Sequence, residues 1–170
     1  MKLNYLDICL RYSFLLIVAI PNLYIFYWIF TPITIYSFYF LANLFFSSQH
    51  FFYIFNSVEI IDACVAGSAY YLLLVLNLSV PSIKFKKRLF IIFFSWLIFF
   101  LANISRILIL SYLAISDSAN FVLIHKIFWY FLSVVFVVLI WFFEVKFFNI
   151  KFIPFYSDFK FLYKKSLFKK

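Results

Sequence analysis

Lys84-Phe85-Lys86-Lys87-Arg88 stands directly before LFIIFFSWLIFFLANIS, residues 89–105, and this junction decides the fold. A basic block set against an apolar run close to the ~20 residues a bilayer demands reads as the cytoplasmic flank of a membrane-spanning helix. The rest of the chain has the same character. Of its 170 residues, 68% are apolar, 27% aromatic and 12% charged, where a soluble domain carries about 25% charged residues. Twenty-nine Phe and thirteen Tyr present more apolar surface than one small globule can bury. A water-soluble fold, a disordered chain and a disulfide scaffold are excluded on these grounds. Long apolar runs without period-two alternation also exclude a barrel, which leaves an all-α integral membrane protein.

Four segments have the length to span, at about 12–30, 63–80, 89–105 and 124–143. They make one polytopic membrane domain over 1–145, followed by a basic cytoplasmic tail, 146–170. An N-in, C-in arrangement places Lys2, Arg11, the 84–88 block and the seven lysines from Lys146 to Lys170 on the cytoplasmic side. That is thirteen of the fifteen basic residues, as the positive-inside rule requires. The net charge of +9 therefore reports orientation and anionic headgroups. Nothing resembles a base-reading module, so nucleic acid is not expected as a partner. The first span has no small-x-small cleavage site after it and reads as a retained anchor. Between the first and second spans a short interfacial helix, 33–46, and a hairpin around Asn56-Ser57 are expected. The alternative is a fifth span over 33–55, which would turn the N-terminus outward.

Cys64, Arg106 and His125 fall at one depth. Cys64 precedes Lys84 by twenty positions, Arg106 follows Arg88 by eighteen, and His125 precedes Lys146 by twenty-one. At about 1.5 Å per residue these are roughly 30, 27 and 32 Å, and the hydrocarbon core is ~30 Å thick. Three helices thus deliver a thiol, a guanidinium and an imidazole to the outer boundary. Ionisable groups at membrane depth are candidates for function.

The chemistry fits a nucleophile. Cys64 would open its helix with Asp62 as the N-cap, where unpaired N–H groups and the helix dipole favour a thiolate. Arg106 would stabilise the thiolate or an oxyanion, with Asp62 as its alternative partner. His125 would move protons near neutral pH. Gly67, the only glycine, would lie one turn after Cys64 and permit close approach of a helix or substrate. Cys9, a membrane thickness away, cannot pair with Cys64 and reads as inert. His50 is a second candidate base. One Cys and one His leave any metal site short of ligands, so no metal and no cofactor are expected.

Glu59-Ile60-Ile61-Asp62-Ala63-Cys64-Val65-Ala66-Gly67, then Asn103-Ile104-Ser105-Arg106, then His125 resemble, in this order, the archaeosortase/exosortase family. The resemblance covers about 58–143, and the short length is similar to the compact pacearchaeosortase kind. It implies a membrane cysteine transpeptidase or protease. The implied substrates are secreted proteins ending in a short motif, one hydrophobic segment and a basic tail. Carried over by position, Cys64 is the nucleophile, Arg106 the transition-state or thiolate stabiliser, and His125 the acid/base. Asn103 orients the arginine. The expected cycle runs at the extracytoplasmic face of the cell membrane, through a Cys64 thioester resolved by a lipid headgroup amine or by water.

Two other readings make different demands. In a non-catalytic assembly subunit, Cys64, Arg106 and His125 would line a polar packing seam, and Cys64→Ser would cost stability alone. In a lipid- or glycan-handling transferase, Arg106 and His125 would be needed and Cys64 dispensable.

Overall fold

A computed structural model describes residues 5–21, 23–57, 60–116, 120–151 and 153–165. Every regular element among them is helical. The chain runs α1 (Tyr5–Ala19), α2 (Tyr24–Phe45), α3 (Ser48–Ser57), α4 (Asp62–Val65), α5 (Gly67–Leu78) and α6 (Phe85–Ile115). It continues with α7 (Phe121–Ile127), a π-helical turn (Phe128–Leu132), α8 (Ser133–Phe147) and α9 (Tyr156–Lys165). Two of these helices, α2 and α6, are long and apolar enough to cross a membrane.

The bundle has an apolar exterior around an apolar core that also buries several polar groups. Trp28, Phe40, Phe93, Leu101, Leu139 and Phe142 are exposed, while Asn77, Ser95, Asn103 and Glu144 are buried. Exposed apolar surface on this scale marks contact with a membrane or with other chains. Helices α5, α6 and α8 meet at one buried polar knot. Asn77 Nδ2 lies 3.0 Å from both Ser95 Oγ and Glu144 Oε2, and Ser95 donates to the Ile91 carbonyl at 3.0 Å. Asn77 and Ser95 are both side-chain hydrogen-bond partners of this fully buried carboxyl. Asn77→Leu should therefore cost about 1–3 kcal/mol by removing one of the two. The Asn77→Leu/Glu144→Leu pair should recover most of that loss. Unfolding midpoints in a fixed detergent measure both; equal destabilisation by the single and double variants would refute the assignment.

Several expected boundaries are corrected. The first span, 12–30, is interrupted: α1 stops at Ala19 and α2 begins at Tyr24, with Leu23 in the left-handed region at φ 62°. Pro21 explains the stop, because it lacks the N–H that would continue the ladder. Pro32 does not stop α2, although the sequence reading ended its span just before it. The first turns of α2 are held by ring packing, Phe30 on Tyr70 at 3.7 Å and Phe26 edge-on to Trp96 at 5.7 Å. That packing fixes the helix across the proline. Residues 33–55 are not one span, since α2 ends at Phe45 and α3 starts at Ser48. The expected hairpin at Asn56-Ser57 is helix, the end of α3.

The second span is broken into α4 and α5 at Ala66. The third is longer than 89–105, and the fourth extends from Phe121 through the π turn to Phe147. At 31 residues, α6 is roughly 46 Å long. Nine residues, 107–115, continue beyond Arg106. An upper apolar cluster of Phe38, Ala42, Ile54, Ile104 and Ile107 forms there, with Cys64 packed against it. Cys64 and Arg106 thus lie beneath a helical layer rather than at the rim.

At the opposite, basic end, Arg11 ties three elements together. It donates to the Leu78 carbonyl at 2.8 Å and to Asp158 Oδ1 at 2.9 Å, and Tyr12 donates to Asp158 Oδ2 at 3.1 Å. Asp158, in the 146–170 tail, therefore holds α9 against α1. The last residues of the tail, Ser166–Lys170, lie outside the described residues, as do Lys2 and Glu59.

Candidate functional site

Why Cys64 sits where it does follows from the break after Val65. Ala66 adopts φ 57°, ψ 46°, a left-handed conformation that costs a β-carbon roughly 1–2 kcal/mol. The break ends the helical ladder of α4 after one turn and frees the carbonyls of Cys64 and Val65. Two side chains of α6 occupy them. Asn103 Nδ2 donates to the Cys64 carbonyl at 2.9 Å and lies 3.3 Å from that of Val65; Arg106 Nη2 donates to the Cys64 carbonyl at 3.2 Å. Asn103 and Arg106 stand one turn apart on one helix face, so a single peptide oxygen receives both.

Arg106 reaches a third helix as well. Its Nη1 donates to Ser133 Oγ at 3.0 Å, and Ser133 donates on to the Phe128 carbonyl at 3.1 Å. Phe128 opens the π turn and Ser133 follows it, so the bond spans the five-residue step of a π-helix, a distortion that recurs at functional sites. Arg106 is buried and its Nε has no hydrogen-bond partner. No carboxylate pairs with it among the described residues. The site therefore consists of one half-buried cysteine from α4 and, from α6, one amide and one guanidinium that no carboxylate pairs among the described residues, with Ser133 of α8 on the guanidinium's other arm.

Of the residues expected from sequence, Cys64, Asn103 and Arg106 are brought together. Asp62 is not part of that group. It is the first residue of α4, Ile61 occupies the cap position without a side-chain bond, and Asp62 is exposed. It faces a cleft of about 370 Å³ lined by Pro21, Tyr24, Tyr27, Trp28 and Thr31, on the α2 side. The dipole argument for Cys64 weakens accordingly, because a one-turn helix sums few peptide dipoles. Arg106 supplies the local positive charge instead.

Gly67 permits the close approach of a helix that its size suggested, although it opens α5 rather than sharing a helix with Cys64, and Ala66 takes the left-handed turn between them. A β-carbon on Gly67 would come within 2.9 Å of the Tyr27 ring. The glycine thus permits α2 to approach α5.

His125 lies in α7, half-buried, with Phe121 edge-on to its ring at 5.6 Å. α6 and α8 pair through Lys87 and the Phe148 carbonyl, Phe94 and Phe143, and Arg106 and Ser133. His125 precedes Ser133 by eight residues, on α7, which packs against α6. His50 stands in α3 with its Nδ1 3.1 Å from Ser47 Oγ. Ser133 was missed by the sequence reading; a lone serine in an apolar run carries no signal until its partner is known.

A groove of about 390 Å³ opens between α2 and α6 beside this site. It is lined by Tyr36, Ser37, Phe40, Leu41, Phe100, Leu101 and Ile104, and Leu41, Phe100 and Ile104 belong to the cluster that holds Cys64. No group of His, Cys, Asp or Glu able to hold a metal ion occurs among the described residues. No family model, curated protein or solved structure matches the chain.

Proposed function

We propose that this chain is a polytopic membrane thiol acyltransferase or peptidase of the archaeosortase/exosortase type. The observation that carries the reading is the convergence of Asn103 and Arg106 on the Cys64 peptide. Immobilising the backbone of a half-buried cysteine beside a guanidinium that no carboxylate pairs among the described residues suits a nucleophile that must keep its aim. The substrate is an exported protein with a C-terminal hydrophobic segment and a basic tail, the segment lying in the α2–α6 groove. The Cys64 thiolate attacks the scissile carbonyl, and Arg106 takes the developing oxyanion charge. The C–N bond breaks as His125, which took the thiol proton when the thiolate formed, gives that proton to the leaving amine. Water or a lipid headgroup amine then resolves the thioester and frees the thiol.

In the membrane, α1 with α2, α4 with α5, α6, and α7 with α8 form four crossings, both termini on the cytoplasmic side. The basic end of the bundle supports this orientation. In sealed vesicles of a Cys9→Ser variant, an impermeant maleimide should reach Cys64 only from the extracytoplasmic side. Labelling only from the cytoplasmic side would reverse the topology. The function is tested by processing of a reporter carrying such a C-terminal segment in membranes with and without the chain. Unchanged reporter in both would reject it.

One observation favours a second reading, the polar packing seam. Asn103 and Arg106 bond the Cys64 carbonyl, and that clamp would close equally well around alanine or serine. The two readings separate cleanly: a seam predicts no processing at any residue, and a nucleophile predicts processing that needs the sulfur.

A further inference from the structure

Asp62 carries a charge that the Cys64 site does not use. Its side chain is exposed, pairs with no cation among the described residues, and lines the cleft of about 370 Å³ on the α2 side. Arg106 is committed elsewhere, to the Cys64 carbonyl and to Ser133 Oγ. Across the cleft stand Tyr24, Tyr27, Trp28 and Thr31, at positions i, i+3, i+4 and i+7 of α2, which share one helix face. Both walls fall where the helices are interrupted. Pro21 lies in the link between α1 and α2, and Asp62 opens α4 just before the break at Ala66. Interrupted helices that meet in this way build sites for charged ligands in membrane proteins. A carboxylate on the apolar exterior of a membrane bundle is also costly without a counter-ion.

The walls select the cation. A bare metal ion needs several oxygen ligands, and this cleft offers a single carboxylate among rings. Aromatic faces attract organic cations, whose carbons they also cover. The volume suits a ligand of several heavy atoms rather than one ion. We infer that the cleft binds an alkylammonium group, with Asp62 as its counter-ion and the rings of Tyr24, Tyr27 and Trp28 against its carbons. The group is that of a free amine or of an amine-bearing lipid headgroup, which present the same chemistry to these walls. The site is independent of the proposed reaction, since it uses no side chain of Cys64, Asn103 or Arg106.

The full chain in deuterated detergent is tested by saturation-transfer NMR with tetramethylammonium and with tert-butanol, a neutral molecule of nearly the same shape. Tetramethylammonium should reach half-maximal transfer at about fivefold lower concentration, the preference one exposed carboxylate gives. Asp62→Asn should make the two probes equivalent; it keeps the shape of an exposed side chain, so the fold is retained. Trp28→Leu leaves the carboxylate in place and should weaken tetramethylammonium binding about threefold, the loss of one exposed cation–π contact. Ethanolamine and short-chain phosphatidylethanolamine are then added as competitors. Displacement by both assigns the site to free amines, and displacement by the lipid alone assigns it to the headgroup. Displacement by neither overturns the proposal. Equal transfer to the ion and the alcohol in the parent chain also overturns it, as does a preference that survives Asp62→Asn.

Discussion

Cys64→Ala should abolish processing of a reporter ending in a hydrophobic segment and basic tail, lowering the rate by on the order of 10³-fold or more. The residue to be removed is half-buried, and the bonds that place it run to its backbone. Alanine keeps that carbonyl and fits the same one-turn helix, so the clamp and the fold survive the change. What disappears is the atom that would form the thioester. Cys64→Ser makes the test stricter, because a serine hydroxyl is a far weaker nucleophile without a base at hydrogen-bond distance. Full processing by either variant would leave the thiol without a role. Loss of processing with an unchanged unfolding midpoint separates the nucleophile from the packing seam, which predicts no processing by the parent chain either.

Arg106 should be nearly as sensitive, and lysine should not rescue it. Arg106→Ala removes the charge beside Cys64 and two hydrogen bonds, those to the Cys64 carbonyl and to Ser133 Oγ. Loss of a transition-state donor costs about 10²–10³ in rate. Arg106→Lys restores a cation, but one compact ammonium cannot span two acceptors on different helices as the planar fork does. Ser133→Ala separates charge from geometry. It frees one arm of the guanidinium and leaves the other on the carbonyl, so its loss should be smaller than that of Arg106→Lys. Arg106→Lys with parental activity would mean that only charge matters and that the bridge to Ser133 is incidental. The rate is to be read beside the unfolding midpoint, since the seam predicts a fall in stability without any reaction.

The helical class and the chemistry-bearing residues were legible because composition and spacing depend on local sequence. Arg88, Lys84 and Lys146 are anchors that any reader can count from, and Cys64, Asn103 and Arg106 stand out in an apolar background. What failed depended on partners. Pro21 and Pro32 are alike in sequence; stacking of Phe26 and Phe30 on rings some forty and seventy residues away decides that only the first ends a helix. The break at Ala66 has no signal in the sequence, since the left-handed turn falls on an alanine beside the only glycine in the sequence. Asp62 carries the charge expected of a partner for Arg106 and faces a different cleft. Asp158 and Glu144 look like ordinary tail and span-end acids until Arg11 and Asn77 reach them.

Covalent capture of substrate on Cys64 tests the central claim most directly. Membranes containing the chain are incubated with the reporter, quenched in acid and digested, and the peptide bearing Cys64 is weighed by mass spectrometry. The account predicts an acyl adduct on Cys64 that neutral hydroxylamine removes, as it does a thioester. The adduct should be absent from Cys64→Ala and reduced in Arg106→Ala. A processed reporter with Cys64 unmodified at every time, or an adduct on another residue, would contradict it.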